Sequence, residues 1–86
     1  MSTEYSLFVR HEVYRRLANI RGRQRNEIMS FLPTLERNPF QRGDYETTSP
    51  EGRTVQAKIL GSFALLFWSD HAVAEIKVID LVPADA

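Results

Sequence analysis

The chain has 86 residues, 43% of them hydrophobic, with no cysteine and 11 Lys+Arg balanced by 11 Asp+Glu; residues 1–43 carry eight Arg against four Glu, and residues 44–86 three basic against seven acidic side chains. A chain of this length buries roughly 60–65% of its unfolded surface, enough for one sheet under one or two helices and too little for two cores, so 1–86 is expected to be one domain. The lack of cysteine excludes a disulfide framework, a Cys-ligated zinc and a thiol nucleophile; with no basic-then-apolar start and no apolar run longer than Ile59 to Ser69, a soluble cytoplasmic protein without a membrane partner is expected.

Glu4 to Arg10 reads as a strand, with Tyr5, Leu7 and Val9 on one face and Ser6, Phe8 and Arg10 on the other. From His11 the period becomes helical: Val13, Leu17 and Ile20 share a face until Gly22 offers a tight turn. A second helix is predicted from Gln24 to Arg37, because Ile28, Phe31, Leu32 and Leu35 fall at i, i+3, i+4 and i+7. Asn38-Pro39 stops it, and Pro33, which cannot donate to the carbonyl of Met29, predicts a bend. After a loop from Pro39 to Tyr45, the segments Tyr45 to Thr48 and Arg53 to Leu60 read as strands joined by Ser49-Pro50-Glu51-Gly52, which has type I turn chemistry. Ser62 to Trp68 and Ala72 to Leu81 follow turns at Gly61 and at Ser69-Asp70-His71. In the last strand Val73, Glu75, Lys77 and Ile79 share one face, and the apolar row Ala74, Ile76 and Val78 is expected against the helices. The element order predicts an α+β two-layer sandwich: an N-terminal strand, an antiparallel helix hairpin, then a three- to four-stranded antiparallel meander.

Chemical motifs are sparse. There is no Gly-rich phosphate loop, paired-His pattern or nucleophile elbow, and His11 and His71 are sixty residues apart, so neither a metal nor a cofactor is expected. Arg15, Arg16, Arg21, Arg23 and Arg25 surround the turn between the helices; they are candidate phosphate contacts or a plainly solvated surface. Phe63 and Phe67 share a face suited to a core, while Trp68 points the other way, where an exposed aromatic would serve a partner. Arg53 and Lys58 have opposite parity in one strand, and either could stabilise a developing phosphoryl charge, the task a metal-free ribonuclease gives to Lys and Arg.

Several stretches together resemble the RelE/ParE toxin superfamily of prokaryotic type II toxin-antitoxin systems. They are the strand and two helices of residues 4–37, Leu35-Glu36-Arg37-Asn38-Pro39-Phe40, Gly43-Asp44-Tyr45, Gly52-Arg53-Thr54-Val55-Gln56-Ala57-Lys58-Ile59, and Phe63-Ala64-Leu65-Leu66-Phe67-Trp68. The resemblance covers nearly the whole chain and rests on element order and spacing more than on any one residue. It implies a cytoplasmic toxin-like protein neutralised by a cognate antitoxin. RelE-like members cut messenger RNA in the ribosomal decoding site without a metal, whereas ParE-like members act on DNA gyrase. The ribonuclease members rely on basic residues of the central strands and near the last strand, often with a terminal Tyr as acid. Here Lys58 matches one basic position, but Ala64 stands where an arginine is expected, and Asp80-Leu81-Val82-Pro83-Ala84-Asp85 supplies acids where the superfamily has Arg and Tyr.

Those departures leave two toxin-like readings, beside a third in which the chain is a small homo-oligomeric scaffold unrelated to toxins. In the first, the protein acts on translation, by ribosome-dependent cleavage with Lys58, Arg53 and Tyr45 in altered catalytic roles or by binding the ribosome, with the helix-hairpin arginines on ribosomal RNA. In the second it is non-enzymatic, a ParE-like gyrase inhibitor or an inactive antitoxin-binding homologue. In both, the antitoxin is expected to cover Trp68, Val73 and Ile79, and a homodimer through that face is the substitute when no antitoxin is present.

Overall fold

The computed structural model describes residues 4–84. Its elements in order are β1 (Ser6–Val9), α1 (His11–Leu17), α2 (Gly22–Arg37), β2 (Tyr45–Thr48), β3 (Thr54–Leu60), β4 (Phe63–Asp70) and β5 (Glu75–Pro83). The strands form one five-stranded sheet in the order β1-β5-β4-β3-β2. β2 to β5 are the expected antiparallel meander, now with four strands, and β1 adds to its edge parallel to β5. A parallel neighbour needs a crossover; here the two helices carry the chain from β1 to β2 at the opposite edge, and the meander returns it to β5 beside β1.

Both helices bury one stripe. Val13 and Leu17 of α1, Ile20 of the connection, and Ile28, Leu32 and Leu35 of α2 pack against Leu60, Leu65, Phe67, Ile76, Val78 and Leu81. Tyr5, Leu7, Val9, Phe31 and Phe63 complete this core from its margins. In α1, Glu12 lies in the first turn and Arg15 and Arg16 in the last, each complementing the helix dipole. α2 starts at Gly22, two residues before its expected start, with that glycine at φ +48°. It continues through Pro33 to Arg37, so the proline does not end it. The Thr34 hydroxyl, one residue on, donates to the Phe31 carbonyl at 2.6 Å.

Turn chemistry sets the strand ends. The Gly52 amide donates to the Ser49 carbonyl at 2.8 Å, closing the expected turn, and Gly52 takes φ +85°. At the β3–β4 turn Gly61 has φ +62°, and Gln24 of α2 clamps the turn: its Nε2 donates to the Leu60 carbonyl at 2.8 Å and its Oε1 accepts from the Ser62 amide at 3.3 Å.

The last strand departs from its expected course in three ways. It begins at Glu75, because His71–Ala74 form a turn in which Ala74 sits at φ +54°; Val73 and Ala74 therefore leave the rows assigned to them. It also runs on to Pro83, so Asp80 to Pro83 is strand and Leu81 is core, while Asp85 lies outside the described residues. The register between β4 and β5 shifts as well: Leu66 faces Asp80 and Phe67 faces Val78, leaving Ile79 as the extra residue of a bulge. That one-residue shift flips the parity and brings Leu81 onto the same face as Ile76 and Val78.

Candidate functional site

Alternation along the strands leaves one sheet face without helices. Phe8 faces Lys77, Lys77 faces Trp68, and all three lie on this open face because Leu7, Val78 and Phe67, their chain neighbours, lie in the core. Arg53, just before β3, has the same parity as Val55 and reaches over Trp68, its guanidinium carbon 3.8 Å from the ring centroid. The Lys77 ammonium stands 5.1 Å from the same ring. Together with Arg10, Ser49, Glu51 and Ile79, these residues line a cleft of about 410 Å³.

The cations of the cleft differ in their partners. Lys77 is shared between Asp70 at 3.6 Å and Glu75 at 3.7 Å, two carboxylates that face each other across β4 and β5 and would otherwise repel. Arg10 pairs with Glu51 at 3.0 Å. Arg53 forms no ion pair among the described residues and is held by the Trp68 ring alone. A guanidinium stacked on an aromatic face keeps its N–H edge free for an anion.

The three residues considered for catalysis do not converge. Lys58 projects to the helix side of β3, opposite in parity to Arg53 as expected, and its ammonium lies 3.6 Å from Asp44. Tyr45 shares the open-face parity of Arg53 but pairs with Ala57, four residues further along β3, about 13 Å away at 3.3 Å per residue. Asp44 itself is a structural fastener: its carboxylate accepts from the Ile59 amide at 2.7 Å, and its own amide donates to the Ala57 carbonyl at 2.7 Å. Gly43 makes that approach possible, since a Cβ there would lie 2.6 Å from the Ala57 carbonyl carbon.

Arg15, Arg16, Arg21, Arg23 and Arg25 are all exposed. Arg16 is committed to Asp80, with Nε 3.1 Å from the carboxylate, and the other four join no ion pair among the described residues. The first turn of α2 contains no acid, so the helix dipole adds to the positive potential of Arg21, Arg23 and Arg25. Of the residues expected at a partner surface, Trp68 is half-buried in the cleft and Val73 is 58% exposed on the β4–β5 turn. Ile79 is only 6% exposed, so it offers a partner little area in this conformation. Sequence reasoning passed over Phe8, Arg10 and Lys77; their shared parity with Trp68 becomes meaningful only once β1 and β5 are known to be neighbours.

Among the described residues there is no cluster of His, Asp or Glu fit for a metal ion, and no helix is long and apolar enough to cross a membrane. No family model and no curated protein matches the sequence. Solved structures do. A chain of the archaeal RelE-RelB complex from Pyrococcus horikoshii matches with TM-score 0.76 at 17% identity, over 94% of this chain and 96% of that one. A chain of the RelBE2 toxin-antitoxin complex from Mycobacterium tuberculosis matches with TM-score 0.73 at 16% identity, over 94% of this chain and 99% of that one. The two-helix, five-stranded architecture is therefore a RelE-like α+β fold.

Proposed function

We propose that this chain is the toxin-like member of a toxin-antitoxin pair and that it acts on translation by binding the ribosome, without cutting message. The pairing is supported by the fold, because the solved structures it matches are complexes of a RelE-RelB and a toxin-antitoxin kind. The observation that carries binding over cleavage is the separation of the candidate catalytic groups: Lys58 lies on the helix side held by Asp44, and Tyr45 and Arg53 sit at different levels of the open face. Phosphodiester cleavage needs an acid and a base within hydrogen-bond reach of the same reacting atoms.

Two surfaces suit a polyanion. The α1–α2 connection presents Arg15, Arg21, Arg23 and Arg25 as phosphate contacts, and the cleft presents Arg53 stacked on Trp68, a combination that takes a phosphate beside an unstacked base. A cognate antitoxin would cover Trp68 and Val73, and without it a homodimer through the open face would shield the same apolar surface. Co-sedimentation of the purified protein with ribosomes over a salt series tests the reading. Binding is expected to fall steeply with salt, because phosphate contacts release counterions, and to weaken when Arg21, Arg23 and Arg25 are replaced by alanine. Salt-independent binding would remove the RNA contact from the account, and inhibition of DNA gyrase with no ribosome binding would favour the ParE-like alternative.

A further inference from the structure

The open face has a roof that its strand order does not by itself provide. β1 is one edge of the sheet, and two strands, β5 and β4, separate it from β3. At about 4.8 Å per strand, Arg10 and the base of the β2–β3 hairpin are therefore roughly 14 Å apart across the sheet. Yet Arg10 Nη2 and Glu51 Oε1, forty-one residues apart in sequence, meet at 3.0 Å. The hairpin tip leans over the open face, since Ser49, Glu51 and Arg53 line the same cleft as Phe8, Trp68 and Lys77. Ser49 at the start of the tip is buried, and Arg53 at the end of the tip lies on the Trp68 ring.

We propose that the Ser49–Arg53 tip is a strap over the open-face cleft, latched at one end by Arg10–Glu51 and resting on Trp68 through Arg53, and that release of the latch opens the cleft. The chemistry of the latch suits reversible closure. Both side chains of the pair are more than half exposed, so the attraction is screened by solvent and salt and is easily broken. Among the described residues the tip's other hydrogen bonds are internal: the Ser49 amide donates to the Arg53 carbonyl at 2.8 Å, the Gly52 amide to the Ser49 carbonyl at 2.8 Å, and the Arg53 amide to Ser49 Oγ at 3.2 Å. Such local bonds let the tip move as a unit while β2 and β3 stay paired below it from Thr48 and Thr54 onward. An anion entering the cleft competes with Glu51 for Arg10, so the same pair that closes the cleft is the one a ligand would undo. This inference concerns access to the cleft and holds whatever the cleft binds.

Trp68 is the single tryptophan of the chain, and its fluorescence reports the cleft directly. Quenching by acrylamide, a neutral quencher, is measured in the wild type, Arg10→Ala, Glu51→Ala and the charge-exchanged double variant Arg10→Glu/Glu51→Arg, with no ribosome or partner present. Both single variants are expected to raise the quenching, with the open-to-closed ratio growing by up to about fivefold as suits an exposed ion pair, and the exchanged pair to restore it. Added salt raises quenching in the wild type and not in the single variants. Since the chain lacks cysteine, Arg10→Cys/Glu51→Cys provides a second reading: a short bis-maleimide should join the two positions within one molecule and reduce quenching. Equal quenching in all variants at all salt concentrations, or no intramolecular cross-link, would overturn the strap.

Discussion

Phe67 and Trp68 are adjacent in β4 and finish two different surfaces. Phe67 is 1% exposed beneath the helices, packed with Phe31 at a ring-centroid distance of 6.2 Å, and its face of the sheet is completed by the chain's own apolar side chains. Trp68 is covered by the charged groups of Arg53 and Lys77 and by a hairpin tip, and its face holds the cleft. The difference separates what folds the chain from what the chain presents: hydrophobic burial is non-directional and needs only area, whereas the open face is organised by geometry-dependent contacts of small individual strength. Perturbing the first should cost stability, and perturbing the second should cost binding.

The largest expected effect is Phe67→Ala, which removes the largest of the fully buried side chains and leaves a cavity beside Phe31 and Val78. A loss of about 3–5 kcal/mol in urea unfolding is expected. Trp68→Ala tells the two faces apart, because a still larger truncation one residue later should cost only about 1–2 kcal/mol while abolishing ribosome binding. Equal losses at the two positions would break the distinction between the faces. Gly43→Ala forces a Cβ into the Ala57 backbone and should destabilise by about 1–3 kcal/mol, read most clearly as faster hydrogen exchange along β2 and β3. Arg53→Ala should leave stability within about 0.5 kcal/mol of wild type, since the residue is exposed, yet weaken binding. Smallest of all is Arg16→Ala, outside the cleft, whose exposed pair with Asp80 should contribute no more than about 0.5 kcal/mol at low salt and less at high salt.

The core face was legible in the sequence because its signals are periodic. Val13 and Leu17, the stripe from Ile28 to Leu35, and the alternation of Phe63, Leu65 and Phe67 each repeat at the spacing of their element, and all are core or pack against it. The last strand was misjudged at the two places where one residue breaks a period. The bulge at Ile79 carries no compositional mark, and Ala74 adopts a left-handed conformation more usual for glycine or asparagine, so nothing in the sequence moved the turn past His71. The open face was legible only in part for a different reason. Trp68 and Arg53 stand out by residue type, but Phe8, Arg10 and Lys77 join them through the β1–β5 pairing and a hairpin that leans over the sheet, contacts between residues some 40 to 70 positions apart whose register local patterning does not encode.

On the proposed reading, the open face binds the translation machinery without catalysing cleavage. That reading is tested most directly by adding the folded protein to a reconstituted translation system and following peptide synthesis together with the integrity of ribosome-bound message, beside the Arg53→Ala and Trp68→Ala variants. The account predicts reduced synthesis with intact message in the wild type, and synthesis restored in both variants. Cleaved message, or wild-type synthesis that is unimpaired, would contradict it.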